Sequence, residues 1–395
     1  MIGKKVPSAQ TLEGKTKLAV PSLSEPQKVP AFFNPRGKLV RDVSIVCYQA
    51  LGNEKSRELT FADALSGTGA RGIRVAKEVD SFGKVFLNDT NSAALQFAKE
   101  SAELNRVAKR CVFSQSEACS FLLSREENGG ERFDCVDIDP FGTPSDFVDC
   151  GIRAVKEGGV LSVTATDSAV LCGVYPRVAL RKYLGLPLRT DYCHEVGMRL
   201  LFGLLSLTAM RFEVGIRPLF CHHDQHYFRA YCEVRVGNSY SRENEKEIGF
   251  VLHCFVCGYR TTISRDEFFS AHSSKSTHEA IMCPGCGKGS PEKRGKLVVG
   301  GPCWIGRIQS KEFTSRCASK SDLALFNMEE LDIPLYYDLT DLSAKLGMRT
   351  PKISDVMLEL KSKGHLASRT RLNPTAVRTD AAIATLLDVV KELAQ

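Results

Sequence analysis

The residues DCVDIDPFGTP at 134–144 place acids at the end of an apolar run, next to a turn. Val136 and Ile138 favour a β-strand, and Pro140 ends it. The Gly-Thr-Pro that follows makes a tight turn, so Asp139 is expected at the tip of the strand. An aspartate in this position either caps the turn or the next helix, or accepts a proton in a reaction, and these residues alone favour neither.

A second candidate site is the loop DALSGTGARGIR, which lies between a predicted strand and a predicted helix. Its Gly67-x-Gly69-x-x-Gly72 spacing lets the backbone approach a nucleotide, and the start of the helix offers unpaired N–H groups. Asp89 ends the next predicted strand about 20 residues further on, where an acid binds ribose hydroxyls in such folds. The pattern predicts a nucleotide cofactor, and a glycine turn without a ligand is the alternative.

Two cofactors fit this loop, a nicotinamide dinucleotide and S-adenosylmethionine. Asp63 ends the strand before the loop, and a carboxylate there attracts the cationic end of S-adenosylmethionine but repels a pyrophosphate. The methyl donor is therefore preferred, and an amine of a nucleic-acid base suits it as acceptor. Asp139 and a carbonyl would accept the amine protons, Pro140 adds no competing N–H, and Phe141 would stack on the base.

Four of the fifteen cysteines have metal-ligand spacing. Cys254-x-x-Cys257 and Cys283-x-x-Cys286 are each followed by glycine, and four thiolates suit a tetrahedral Zn²⁺ with no open position for water. We expect a structural zinc site of the zinc-ribbon type, with unligated thiols or a redox pair as alternatives. The other cysteines are expected to be mostly reduced and buried.

The final basic stretch, SKGHLASRTRLNPTAVR, contains Arg369, Arg371 and Arg378 and no acid. It is predicted either to contact nucleic-acid phosphates or to form a solvated face. The histidines of HHDQH lack partners in metal spacing and are expected to be polar loop residues. Trp304 is expected to pack in the interior.

The elements that position these residues follow from the periodicity. From residue 59 onward strands alternate with helical stretches, which predicts an α/β fold with a mostly parallel, doubly wound, Rossmann-like sheet. Residues 216–237 read as two β-rich runs about a polar turn, an antiparallel pair at the end of the sheet. Leucine spacing after residue 335 predicts two short helices, and with the stretch that follows they suggest a winged helix.

The composition is that of an ordinary globular protein, with 395 residues, 43% hydrophobic and 25% charged. Its apolar runs are too short to span a bilayer and no signal peptide begins the chain, so we expect an intracellular monomer, in cytoplasm or nucleus, without membrane contact. The formal charge of +7 is compatible with a polyanionic partner without requiring one.

Several blocks of the chain, taken together and in order, resemble one family. They are FFNPRGKLVRD, DALSGTGARGIR, LND, DIDPFGTPSDF, VTATDSAVLCGVYP, GPCWIG and SRTRLNPTAVRTDA. They are similar to the tRNA (guanine-N2-)-dimethyltransferases, which methylate guanine 26 of tRNA. The resemblance implies a class I methyltransferase domain that uses S-adenosylmethionine, followed by a C-terminal domain that helps to hold tRNA.

The same resemblance assigns expected roles to individual residues. Cofactor contacts are expected at Arg41, Arg71, Asp89, Glu117 and Ala118, where Glu117 replaces the shorter Asp of the family. The catalytic acid is expected at Asp139, and the aromatic positions flanking the target guanine are expected at Phe32 and Phe141.

Four regions are expected: an N-terminal arm outside the core at 1–30, the methyltransferase domain at 31–240, a zinc-binding segment at 241–320 and a winged-helix-like, tRNA-contacting region at 321–395. The hypothesis is mono- and dimethylation of the guanine N2 amine in tRNA. A nicotinamide-dependent dehydrogenase and a non-enzymatic, zinc-containing RNA-binding module are the alternatives.

Overall fold

The computed structural model describes residues 8–22, 31–52, 58–127, 130–272, 281–286 and 295–394. In chain order the strands are β1 (Ser8–Glu13), β2 (Thr16–Pro21), β3 (Leu59–Asp63), β4 (Phe82–Asn88), β5 (Cys111–Ser114), β6 (Phe133–Ile138), β7 (Val155–Ala165), β8 (Val214–Asp224), β9 (Tyr227–Val236), β10 (Ile248–Cys254), β11 (Arg260–Ser264), β12 (Leu297–Trp304), β13 (Tyr337–Asp338), β14 (Ala367–Thr370) and β15 (Asn373–Thr379). The helices are α1 (Lys38–Leu51), α2 (Ala70–Glu78), α3 (Ser92–Leu104), α4 (Ala118–Glu127), α5 (Val148–Ala154), α6 (Ser168–Leu171), α7 (Pro176–Tyr183), α8 (Cys193–Met210), α9 (Asn238–Lys246), α10 (Arg265–His272), α11 (Lys311–Ala318), α12 (Ala324–Asn327), α13 (Leu339–Leu346), α14 (Ile353–Ser362) and α15 (Ile383–Leu393).

Seven strands of the described chain form a central sheet in the order β5-β4-β3-β6-β7-β9-β8. The first five in this order run parallel, and β9 and β8 add an antiparallel pair at one edge. Every residue of β6 is buried, as in sheets covered by helices on both faces. The predicted doubly wound α/β sheet with an antiparallel end is therefore confirmed.

Helices cover the central sheet on both faces. Buried residues of α1, α2 and α3 share a hydrophobic core with β3 and β4. Residues of α4, α5 and α8 form a second core with β6 and β7. Because β3, β4, β6 and β7 are parallel, their carboxyl ends meet at one edge, which we call the carboxyl edge, where ligands bind in doubly wound sheets.

The N-terminal residues are part of the packed structure. β1 and β2 pair antiparallel, and Ala19 N–H on β2 donates to Ser101 Oγ of α3 at 2.9 Å. Leu18 and Val20 are buried in the core next to α1 and α2. The expectation that residues 1–30 stand outside the core is wrong for β2, because a short alternating strand can bury a face against a helix without being part of the main sheet. Residues 1–7 and 23–30 lie outside the described ranges.

The C-terminal half contains two small antiparallel sheets, β11-β10-β12 and β13-β15-β14. The second packs with α13, α14 and α15 around a core of its own, and the predicted leucine faces are buried at Leu339, Leu342, Val356 and Leu360. The two predicted short helices are thus confirmed. No helix in the described ranges has both the length and the apolar character needed to cross a membrane.

Three single-residue expectations have clear outcomes. Trp304 is buried on β12, as expected. His222 and His223 lie on β8, and His222 is buried, so their prediction as loop residues is wrong: the β-run continues further into HHDQH than its polarity suggested. Cys119 and Cys150 form a disulfide between α4 and α5, which was not predicted.

Candidate active site and metal centre

The candidate active site lies at the carboxyl edge, where the loops after β3, β4 and β6 meet. Asp63 on β3 lies in register with Leu87 on β4 and with Asp137 on β6. The glycine loop after β3 and the DPFG turn after β6 are therefore neighbours. Two motifs that are about 70 residues apart in the sequence come together because parallel strands end at the same edge.

The glycine loop is closed by Asp89. Gly67 N–H donates to Asp89 Oδ2 at 2.7 Å, and Asp89 Oδ1 accepts from Asn91 N–H at 2.8 Å. These bonds fix the carboxylate beside the loop and leave further lone pairs for a ligand. Asp89 therefore lies next to the glycine loop at the carboxyl edge.

Glycine is required at two positions of the loop. Gly67 and Gly69 have φ of +52° and +76°, a region that is strained for residues with a side chain. A Cβ on Gly69 would lie 2.6 Å from the Cβ of Ala98 on α3. A Cβ on Gly67 would contact only the carbonyl oxygen of Phe32, at 3.9 Å. The loop is therefore tightly packed below Gly69 and open above Gly67, beside Phe32.

Asp63 is buried beneath this loop and accepts a hydrogen bond from Gly72 N–H at 3.1 Å. Burial raises the pKa of Asp63 to about 8, and the negative charge of Asp137 adds to the effect, although Arg71 opposes it. Without a further cation Asp63 is largely protonated at neutral pH. A cationic ligand at this position would favour its ionised form.

Asp139 is connected to the glycine loop by an ion pair. Its Oδ2 lies 2.7 Å from Nη2 of Arg71, which is in the first turn of α2, and the Asp139 side chain remains 28% exposed. Nη1 of Arg71 donates to both carboxylate oxygens of Asp137, at 2.9 and 3.0 Å. Asp139 therefore faces the predicted cofactor loop while part of its carboxylate is open to solvent.

Behind this pair is a fully buried charge network. Asp137 accepts from Arg229 of β9 at 2.6 and 3.0 Å, and Tyr48 Oη donates to Asp137 and accepts from Arg229. Burial alone would raise the pKa of Asp137, but Arg229 and Arg71 outweigh it and hold that pKa at about 2. Asp137, Arg229 and Tyr48 were not predicted, although an acid and an arginine inside apolar strands indicate a buried pair.

Two exposed aromatic rings meet at the DPFG turn that Asp139 begins. Phe32 and Phe141 are 60% and 82% exposed, and their ring centroids are 5.3 Å apart in an edge-to-face arrangement. The turn holding Phe141 is fixed because Gly142 N–H donates to Thr166 Oγ1 and Thr166 N–H donates to the Gly142 carbonyl, both at 2.8 Å. Adjacent exposed rings provide a surface for a flat ligand.

Two other predicted cofactor residues have structural partners. Arg41 forms a bidentate ion pair with Glu13 at 2.6 and 2.7 Å and donates to the Asn34 carbonyl. Glu117 caps α4, since its oxygens accept from Cys119 N–H at 3.0 Å and Ser120 N–H at 2.8 Å. These backbone hydrogen bonds lower the pKa of Glu117. Ala118 is buried in the first turn of α4.

The four predicted metal cysteines converge. The Sγ atoms of Cys254 and Cys286 are 3.6 Å apart, and those of Cys257 and Cys283 are 3.5 Å apart. All four lie within 4.8 Å of one another. Gly295 N–H points at the Cys286 sulfur, 3.4 Å away, as expected when a thiolate needs compensation. Gly287 lies outside the described residues.

The predicted phosphate-binding arginines need a correction. Arg378 is buried between Glu195 and Glu330, at 2.8 and 2.7 Å. Arg371 pairs with Glu330 at 2.8 Å and donates to the Leu325 and Met328 carbonyls. Both guanidinium groups are buried and ion-paired within the protein, so neither is free to bind a phosphate.

The carboxylates that engage these two arginines lie far away in the sequence, which is why a basic stretch without acids suggested a free surface.

Arg369, the third arginine predicted to contact phosphates, is exposed on β14.

The sheet order, the glycine loop and the carboxylate cluster at the carboxyl edge define the class of Rossmann-like α/β proteins that bind a nucleotide-type cofactor. Residues 11–391 match the family model of N2,N2-dimethylguanosine tRNA methyltransferase. The chain belongs to this family, which is a family of tRNA-methylating enzymes.

Individual relatives agree with this assignment. The chain is 35% identical to the tRNA (guanine(26)-N(2))-dimethyltransferase of Methanothermobacter thermautotrophicus, with 96% of this chain and 98% of the relative covered. It is 33% identical to the enzyme of the same name from Methanobrevibacter smithii, with 96% of each covered. Among solved structures, Trm1 from Pyrococcus horikoshii in complex with S-adenosyl-L-methionine is similar with a TM-score of 0.80 and 30% identity, covering 97% of this chain and 99% of that one.

Proposed function

We propose that this protein transfers methyl groups from S-adenosylmethionine to the N2 amine of guanine 26 in tRNA, giving mono- and dimethylguanosine. The observation that carries the proposal is the Asp139 carboxylate, which is paired with Arg71 and begins the turn that carries Phe141, whose exposed ring lies against that of Phe32. The relatives named for this reaction supply its substrate.

The residues at the carboxyl edge fit the cofactor. S-adenosylmethionine supplies the methyl group when bound. The open backbone at Gly67 and the fixed carboxylate of Asp89 suit a ribose, and buried Asp63 is an acid whose ionisation a nearby cation would favour. Both Nη atoms of Arg71 already pair with Asp137 and Asp139, whereas its Nε–H has no partner among the described residues and is the donor left for a cofactor group.

Asp139 accepts a proton from the guanine amine in this proposal. The nitrogen lone pair is delocalised into the ring, so removal of an N–H proton to a carboxylate increases electron density on nitrogen as the new bond to carbon forms. Phe141 and Phe32 hold the base by stacking. A base in folded tRNA must first leave its stack, at a cost of a few kcal/mol.

The test replaces Asp139 by alanine and measures single-turnover methylation of unmodified tRNA. The methylation rate is expected to fall by about 10²–10⁴-fold, the usual contribution of a positioned proton acceptor, while S-adenosylmethionine still binds in calorimetry. Asp149→Ala, which removes a half-exposed acid on α5 of the same domain, is the matched control. An Asp139→Ala variant with a rate near that of the wild type would contradict the proposed role.

The four cysteines hold a structural zinc ion in this proposal, and β10, β11 and β12 form a zinc-ribbon-like segment around it. Sulfur atoms bound at about 2.3 Å to one tetrahedral Zn²⁺ lie about 3.8 Å apart, close to the observed 3.5 and 3.6 Å separations. The region with α13, α14 and β13–β15 serves as a winged-helix-like unit that helps to hold tRNA.

Elemental analysis tests the metal. The purified protein is expected to contain about one Zn²⁺ per chain, and Cys286→Ser is expected to lose most of it. Cys111→Ser, a half-buried cysteine outside the cluster, is the control and should keep the metal. If wild-type protein purified in reducing buffer contained no zinc, the proposed site would be refuted.

A further inference from the structure

The surface next to the DPFG turn is formed by α7 and the residue before it. Lys182 of α7 lies 2.9 Å from Asp146, which belongs to the loop after the turn. Tyr183 Oη donates to Asp167 at 2.5 Å, and Asp167 directly follows Thr166, which holds the turn. The helix is therefore fixed to the same loops that place Phe141.

The outward face of α7 combines cations with apolar groups. Arg177 and Arg181 are both exposed and, being four residues apart, lie on one face of the helix. Neither has an ion-pair or hydrogen-bond partner in the part of the chain that the structure describes. Leu180 between them is 47% exposed and Tyr175, just before the helix, is 55% exposed.

This arrangement is unfavourable in the free protein. Like charges at i and i+4 repel each other, and exposed apolar side chains gain nothing from water. Both features become favourable against a partner that offers phosphates to the arginines and a flat ring to the tyrosine. The four side chains, Tyr175, Arg177, Leu180 and Arg181, are named the basic ridge.

We propose that the basic ridge binds the tRNA backbone next to the target guanine, with Arg177 and Arg181 on phosphates and Tyr175 against an unstacked neighbouring base. The inference rests on the proposed function, because it is the exposed Phe32–Phe141 pair that identifies where the target base enters. In this proposal the basic ridge, and not the buried Arg371 and Arg378, makes the phosphate contacts.

The test compares Arg177→Gln/Arg181→Gln with Arg242→Gln by equilibrium tRNA binding at several salt concentrations. Arg242 is an exposed arginine on α9. This helix follows the end of β9, which lies away from the carboxyl edge because β9 runs antiparallel to β7. The double variant is expected to bind tRNA about 10-fold more weakly or worse, and its slope of log affinity against log salt should be less steep by about 1 to 2. Arg242→Gln should keep both values.

Two further measurements separate this inference from a folding defect and from the proposed function. In steady-state methylation the double variant should raise the KM for tRNA by a larger factor than it lowers kcat, and its S-adenosylmethionine affinity should be unchanged. Tyr175→Ala should weaken tRNA binding without changing the salt slope. If the double variant kept the wild-type tRNA affinity and salt slope, the proposal that the basic ridge binds tRNA would be overturned. A ridge that binds a protein partner instead would give this same result. A wild-type protein that binds tRNA through the ridge but never methylates it would overturn the proposed function alone.

Discussion

Two neighbouring aspartates at the carboxyl edge are held in opposite protonation states. Asp137, surrounded by Arg229 and Arg71, has a pKa of about 2 and is ionised. Asp63 is also buried, and this burial together with the charge of Asp137 outweighs Arg71 and the hydrogen bond from Gly72 N–H, so the pKa of Asp63 is about 8. The environment thus separates the two carboxylates: Asp137 anchors the arginines, and Asp63, in the proposed function, is the acid that a cationic ligand would ionise.

The protonation of Asp63 makes stability depend on pH. Its pKa in the folded state is raised above the unfolded value, so the folded chain keeps a proton that the unfolded chain loses. Asp63 therefore lowers the free energy of unfolding as pH rises from about 4 to about 8. Asp63→Asn should remove this loss and become more stable relative to the wild type as pH rises, by on the order of a few kcal/mol at pH 8.

Denaturant unfolding of wild type and Asp63→Asn at pH 5 and pH 8 checks this expectation. Asparagine keeps an oxygen for Gly72 N–H, so the hydrogen bond is matched in the two proteins. A stability difference that is the same at both pH values would show that Asp63 is already ionised in the folded protein.

Packing between α2 and α3 determines the geometry of the glycine loop. Gly69 directly precedes α2 as its N-cap and has φ +76°, and a Cβ there would lie 2.6 Å from that of Ala98. Gly142 in the DPFG turn has the same φ of +76° but nothing within 4 Å of a Cβ. The two glycines share their backbone conformation and differ in the space around them.

This pair predicts unequal effects of the same substitution. Gly142→Ala should cost only the strain of positive φ, about 1–2 kcal/mol. Gly69→Ala should cost that amount plus about 1–3 kcal/mol for overpacking against α3, and it should weaken S-adenosylmethionine binding because the loop must move. If Gly69→Ala and Gly142→Ala lowered the free energy of unfolding equally, α3 would have to move away from residue 69 without loss of stability, contrary to this expectation.

The sequence predicted the elements better than the partners of the charged residues. Strand and helix periodicity placed β3, α2 and β6, and parallel topology alone brings their ends together. The Arg71–Asp139 pair and the closure of Gly67 by Asp89 follow from that topology. The Asp137–Arg229 pair joins strands about 90 residues apart, and such pairing depends on the register of the sheet. Arg371 and Arg378 were misjudged because their partners, Glu330 and Glu195, lie 41 and 183 residues away in the sequence and outside the sheet.

The two halves of the chain are connected by buried charges. Glu195 on α8 pairs with Arg378 of β15 at 2.8 Å and accepts from Leu335 N–H at 2.9 Å. Burial alone would raise the pKa of Glu195, but Arg378 and Arg199 lower it overall. The C-terminal region is therefore held against the methyltransferase sheet by an ion pair that solvent does not screen.

Removal of this ion pair should lower the stability of the protein, and any loss of tRNA affinity should follow from that lower stability. Arg378→Gln removes the cation that Glu195 and Glu330 share and leaves each of them with one buried arginine, Arg199 and Arg371 respectively. The substitution should lower the free energy of unfolding by about 3–5 kcal/mol. Arg369→Gln, exposed on the neighbouring strand, should change it by less than about 0.5 kcal/mol. Because the pKa of Glu195 is lowered on folding, its contribution should be lost as pH falls through the acidic range. An Arg378→Gln variant of wild-type stability with weakened tRNA affinity would restore the phosphate-binding role.

The most direct measurement is nucleoside mass spectrometry of an unmodified tRNA transcript after incubation with the protein and S-adenosylmethionine. The account predicts N2-methyl- and N2,N2-dimethylguanosine from the wild-type transcript, and neither from a transcript with adenine at position 26 or with the Asp139→Ala protein. The account would be contradicted if the wild-type protein left all guanosine unmodified. It would also be contradicted if the transcript with adenine at position 26 were methylated as much as the wild-type transcript.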